Sequence, residues 1–205
     1  MPTRQIATRP LAVLFTAAAC FAAACPAAGP SLDFRTLADG SAEIRWHDSG
    51  HPLLRADRNI FLLDRRETIC AAPREAPPVL RENSAAWATD TSELRRTLSP
   101  APGGGVACRW TMRFLNGIPD AAFIVLECDL RAERIGMLPP RDGSPRRLLV
   151  TSDGSAAALF PPGTIPVFTG GGDGSFRLRM MWRYRPGFIN TVETGITLTP
   201  LPDRQ

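Results

Sequence analysis

Lysine is missing from this chain of 205 residues, so all 24 of its basic residues are arginine. Guanidinium grips carboxylate, sulfate or phosphate at two points. A GC-rich coding bias yields the same composition, so the absence alone selects no ligand. It does remove one motif. The stretch "TGGGDG" at 169–174 cannot be a phosphate-cradling loop, which needs the lysine of G-x-x-x-x-G-K-[ST] and a following helix; its glycines are expected at a hairpin tip. Cys-x-x-Cys is absent too, which removes the spacing of a zinc knuckle or a thioredoxin-type centre. So is the G-x-S-x-G nucleophile elbow. An excess of one charge is also lacking. Against 24 basic residues stand 20 acidic ones, and without Arg4 and Arg9 the balance is 22 to 20, too even to support a nucleic-acid partner.

What is present begins with an N-terminal targeting pattern. Arg4 and Arg9 are the only charges before Asp33, and the apolar run "LAVLFTAAACFAAAC" starts at Leu11. It is short and alanine-rich for a membrane span, and small residues follow it. Residues 1–28 are therefore expected to be a secretory signal peptide, leaving 29–205 as a single domain. The rival processing is lipidation at Cys20 or Cys25, and membrane association is expected only with it. Export implies an oxidising compartment, whether periplasm, outer membrane or medium, where Cys70, Cys108 and Cys128 can pair.

Four Asp-Gly-Ser triplets punctuate the chain, at Asp39, Asp142, Asp153 and Asp173, with Asn116-Gly117 beside them. Such pairs accept the backbone angles of tight hairpin turns. Their flanks mostly alternate: Leu32, Phe34 and Thr36 share one phase, and Ala42, Ile44 and Trp46 another. "VACRWTMRFLNGIPDAAFIVLECDL" predicts a hairpin turning about Ile118, in which Trp110 faces Leu126 and Cys108 faces Cys128. That register favours a Cys108–Cys128 disulfide, with pairing by Cys70 as the alternative. Residues 64–105, with their Pro- and Gly-rich pieces, predict a long irregular connection. Within it "DTSELRRTL" predicts one short helix, with Asp90 as N-cap, Glu93 closing a capping box, and Leu94 and Leu98 on one face. The fold class is all-β: an antiparallel, immunoglobulin-like β-sandwich, with a flattened barrel as the other architecture.

Candidate sites are few. His47, Asp48 and His51 are metal-ligand types, but they sit in a turn sequence with no further ligand nearby, so no metal is expected. Glu127 and Asp129 share one strand face, where salt bridges explain them better than acid-base catalysis. No catalytic residue and no cofactor is expected. The remaining signal is "FRLRMMWRYR". Phe176, Leu178, Met180, Trp182 and Tyr184 fall on one face of a strand, and Arg177, Arg179, Arg183 and Arg185 on the other. Four like charges in line repel unless partnered. Glu127, Asp129, Asp142 or Glu193 would make the stripe structural; otherwise it is an anion-binding face. The expected function is an exported, non-enzymatic binding or assembly module of the cell envelope. Its partner would be an anionic glycan or an acidic envelope protein. A fimbrial or secretion-apparatus subunit and an exported hydrolase are the alternatives.

Overall fold

The computed structural model describes residues 30–56, 60–63, 68–71, 76–115, 121–170 and 173–202, with the backbone alone for residues 61 and 68–71. The expected signal segment, with Cys20 and Cys25, lies outside the described residues. The described residues form strands and turns, with no helix among them.

Two antiparallel eight-stranded sheets pack against each other. The first runs β1 (Leu32–Thr36), β2 (Ala42–Trp46), β3 (Pro52–Ala56), β10 (Phe123–Arg131), β15 (Ser175–Arg183) and β14 (Val167–Gly170). On the same edge of β10 as β3, but nearer its start, lies β4 (Ile60–Leu63), with β5 (Thr68–Ala71) beyond it. The second sheet runs β11 (Arg134–Arg141), β12 (Ser144–Thr151), β13 (Gly154–Leu159), β16 (Asn190–Leu201), β9 (Gly105–Phe114), β8 (Ser92–Ala101), β7 (Ser84–Ala88) and β6 (Val79–Arg81). This is the expected two-layer antiparallel sandwich. It has more strands than the seven to nine of an immunoglobulin domain, so the general architecture holds and that particular type is not established.

The Asp-Gly turns do what their chemistry requires. Each joins two strands that pair with one another: β1 with β2, β11 with β12, β12 with β13, and β14 with β15. At Asp142-Gly143 both residues have positive φ, 51° and 73°, the combination of a type I′ hairpin turn. The strands between these turns bury alternate residues. Along β9, Val106, Cys108, Trp110, Met112 and Phe114 are all buried, whereas Arg109, Thr111 and Arg113 are exposed. Their counterparts on β10, Ile124, Leu126, Cys128 and Leu130, belong to the same core cluster. Each large apolar side chain so buried contributes roughly 1.5–3 kcal/mol.

Three expectations are corrected. First, β9 and β10 do not pair. β9 lies between β8 and β16, and β10 between β15 and the β3/β4 edge. Side-by-side pairing and face-to-face stacking bury the same alternate residues, so matching apolar phases cannot tell them apart. The turn sequence at 116–120 lies outside the described residues. With their strands in opposite sheets, Cys108 and Cys128 are both buried, and the expected bond between them is not formed. Cys70 falls in β5, where the backbone alone is described. Second, the expected helix is strand β8, and the expected irregular connection over 64–105 contains β5, β6, β7 and β8. Thr89 caps the β7–β8 turn instead, its hydroxyl accepting the Ser92 N–H at 3.1 Å. Third, β15 and β16 occupy opposite sheets, so Glu193 is not beside the arginine stripe.

Of the charged side chains buried among the described residues, that of Arg96 lies between the two sheets. Arg96 is only 1% exposed and stands on the inner face of β8, opposite Trp110 of β9. Its Nη1 donates to the Ala56 carbonyl at 2.6 Å, and its Nη2 donates to the Gly40 carbonyl. Its guanidinium lies 5.6 Å from the Trp87 ring centroid. Ala56 ends β3 and Gly40 lies in the β1–β2 turn, so Arg96 ties the second sheet to the first.

Candidate functional site

The apolar and basic phases of β15 separate as the sequence predicts. Leu178, Met180 and Tyr184 are buried in the core, and Phe176 and Trp182 pack against it. Arg177, Arg179, Met181 and Arg183 alternate on the outer face of the first sheet. The strand ends at Arg183, so Arg185 lies just beyond it.

Register decides what each arginine meets. Arg177 stands opposite Asp129 of β10 and Arg179 opposite Glu127. Arg177 Nε lies 3.5 Å from Asp129 Oδ1, with both side chains about half exposed. Arg179 Nε donates to Glu127 Oε1 at 2.8 Å, with a second bond from its Nη2. Glu127 is itself buried, at 6% exposure, so this is the tighter pair. The pattern continues outward. Arg35, Glu43, Arg55, Asp129 and Arg177 stand in register across β1, β2, β3, β10 and β15. Arg35 closes on Glu43 at 2.7 Å from Nη2 and 2.9 Å from Nε. Charges of alternating sign thus run across five adjacent strands, and opposite charges directly across a ladder attract. In this part of the stripe Arg177 and Arg179 each face a carboxylate, and the ladder as a whole sets three arginines against two acids.

Arg183 and Arg185 differ. Arg183 stands opposite Phe123, an apolar residue, and both arginines are exposed. Neither has an acidic partner among the described residues. Their backbone is held firmly. Tyr184 between them is buried, its N–H donates to the Ala122 carbonyl at 2.8 Å, and its ring meets Phe114 edge-on at 6.2 Å. The Arg185 N–H donates to Asn190 Oδ1 at 2.9 Å. Two guanidinium groups therefore project from fixed positions at one end of the sandwich.

The opposite end carries the histidines and a cleft. His47 Nδ1 lies 2.8 Å from Asp33 Oδ2, and both groups are well exposed. A cleft of about 210 Å³ is bordered by Trp46, His51, Arg131, Glu133, Asp153 and Asp173. Trp46 is fixed there by its Nε1–H, which donates to Thr151 Oγ1 at 3.0 Å. Asp173 accepts from the Ser175 hydroxyl at 2.7 Å and its N–H at 3.0 Å, and these bonds hold its carboxyl below the usual carboxylate range. A carboxyl so held is a poor general acid. No group of three or more His, Cys, Asp or Glu placed to hold a metal occurs among the described residues.

The ladder and the buried Arg96 are not evident from the sequence alone. Nor is the outer face of the second sheet, where Arg95, Arg109 and Arg113 are interleaved with Glu93 and Glu193. There Arg113 lies 3.5 Å from Glu93. The ladder becomes legible only once strand order is known, because its members come from five distant segments. The chain matches no protein-family model and no curated protein.

Proposed function

We propose that this chain is an exported, non-enzymatic binding or assembly module of the cell envelope, with Arg183 and Arg185 as its anion-contacting pair. The charge and apolar pattern of residues 1–28 supports export. The observation that carries the anion-binding role is the inequality within the arginine stripe. Arg177 and Arg179 are engaged by Asp129 and Glu127, whereas Arg183 and Arg185 are exposed, backbone-anchored and without an acidic partner among the described residues. Such a pair meets a sulfate, phosphate or carboxylate from an already ordered backbone, so only the two side chains are immobilised on binding. An anionic glycan or an acidic envelope protein fits this chemistry.

Immobilised heparin, a sulfated glycan, serves as the probe. The full chain should bind it with an affinity that falls as salt rises. Arg183→Ser combined with Arg185→Ser should weaken binding at least about tenfold, at roughly 1 kcal/mol or more per charge-assisted contact. Unchanged affinity in that variant would overturn the assignment.

A further inference from the structure

Beyond the two arginines, the chain turns from the first sheet to the second through "RPGFIN". This connection presents its apolar residues to solvent: Phe188 is 69% exposed and Ile189 57%. Two adjacent large apolar side chains at a turn, close in sequence to two cations, form an amphipathic surface feature with no role in the core cluster of the described residues.

The turn is also rigidly made. Pro186 and Gly187 are the central residues of a type II turn. Gly187 has φ of 78°, which that turn requires of its third residue, and the Phe188 N–H points to the Arg185 carbonyl at 3.4 Å. Asn190, only 8% exposed, braces it from inside. Its Nδ2 donates to the Arg185 carbonyl at 3.0 Å and to the Phe188 carbonyl at 2.9 Å, while its Oδ1 accepts from the Arg185 N–H. One buried side chain therefore fixes an exposed apolar tip through three hydrogen bonds. The conformation that exposes Phe188 and Ile189 is specified by the fold.

We infer that the β15–β16 turn is a docking tip for an anionic lipid bilayer, with Phe188 and Ile189 entering the interface and Arg183 and Arg185 meeting lipid phosphates. This rests on the anion-binding role proposed for the same arginines. The charge on both arginines complements an anionic leaflet, where each basic residue contributes about fivefold in binding. The apolar pair complements the acyl boundary beneath the headgroups. A soluble glycan offers nothing for those two side chains to enter. The sequence tied membrane association to lipidation at Cys20 or Cys25, whereas the tip needs no lipid anchor.

The test is co-sedimentation of the full chain with vesicles of phosphatidylglycerol and phosphatidylcholine in equal parts, and with vesicles of phosphatidylcholine alone. Every variant carries the same N-terminus, so residues 1–29 contribute equally throughout. The anionic vesicles should be bound more tightly. Phe188→Ser with Ile189→Ser should lower that binding at least about tenfold from the loss of apolar burial. Arg183→Ser with Arg185→Ser should lower it about thirtyfold at low salt. Circular dichroism should show all variants folded, since the altered side chains are exposed. If the Phe188/Ile189 variant binds anionic vesicles as well as the unsubstituted chain does, the docking tip is refuted; continued loss in the arginine variant would leave the anion-binding role standing. Binding to heparin without binding to vesicles refutes the tip alone. Loss of neither heparin nor vesicle binding in the arginine variant refutes both. A dimer that dissociates on substitution of Phe188 and Ile189 would make a second copy the occupant and also overturn the inference.

Discussion

Replacing Arg96 with methionine is the sharpest perturbation of this fold. Methionine keeps much of the side-chain length and loses the donors. The carbonyls of Ala56 and Gly40 would each lose a charge-assisted donor in a buried setting, at about 1–3 kcal/mol apiece. Loss of the cation–π contact with Trp87 adds about 1 kcal/mol. Relief of the guanidinium's own desolvation offsets part of this. The net expected loss is about 3 kcal/mol, or a fall in Tm of roughly 6–12 °C for a domain of this size. Urea denaturation followed by circular dichroism measures it. Arg95→Met, on the exposed face of the same strand, serves as the control and should change stability by less than about 0.5 kcal/mol. If Arg96→Met proves as stable as the unsubstituted chain, the guanidinium is not an inter-sheet tie, and the account of how the layers are joined fails.

Further outcomes follow from the same geometry. Burial pushes the Cys108 thiol up from 9.0 to about 12, against the opposing pull of the Arg96 charge. The folded state therefore holds this proton more tightly than the unfolded chain does. The contribution is complete below pH 9 and is lost as pH rises from 9 towards 12. Stability measured across that range should fall less steeply in Cys108→Ala. On the first sheet, Glu127→Ala should cost about 1–2 kcal/mol, because a buried carboxylate and its two bonds from Arg179 are removed. Asp129→Ala should cost less than about 0.5 kcal/mol, because its pair with Arg177 is half exposed and screened. Thermal melts of the two variants, compared in one buffer, check the order.

The turns and the alternating strands were the legible part of the sequence, for local reasons. Asp-Gly pairs specify hairpins through the φ angles of two residues, and period-two burial along β15 needs no knowledge of its neighbours. Strand partnership is not local. Val106 to Phe114 and Ala122 to Leu130 carry matched apolar phases, which a hairpin and a stacked pair bury equally well. The helix expected over 90–98 shows a different ambiguity. Leu94 and Leu98 are four apart, which places them on one face of a helix and equally on one face of a strand. Arg96 sits between them at a buried strand position, and that single inward charge hid the alternation of β8. The anion-binding candidates were found as a group of four, because the stripe itself is visible in the sequence. Their division into two paired and two exposed arginines depended on β10 lying beside β15, which no local pattern encodes.

Register divides the arginine stripe into two residues held by carboxylates and two proposed to bind anions. Heparin affinity and thermal stability, measured on the same two double variants, separate the halves. Arg183→Ser with Arg185→Ser should lose affinity at least about tenfold and keep its Tm within a few degrees. Arg177→Ser with Arg179→Ser should keep its affinity and lose stability, because Glu127 is left buried without its partner. The reverse pattern, with affinity lost at 177 and 179 and retained at 183 and 185, would contradict the account.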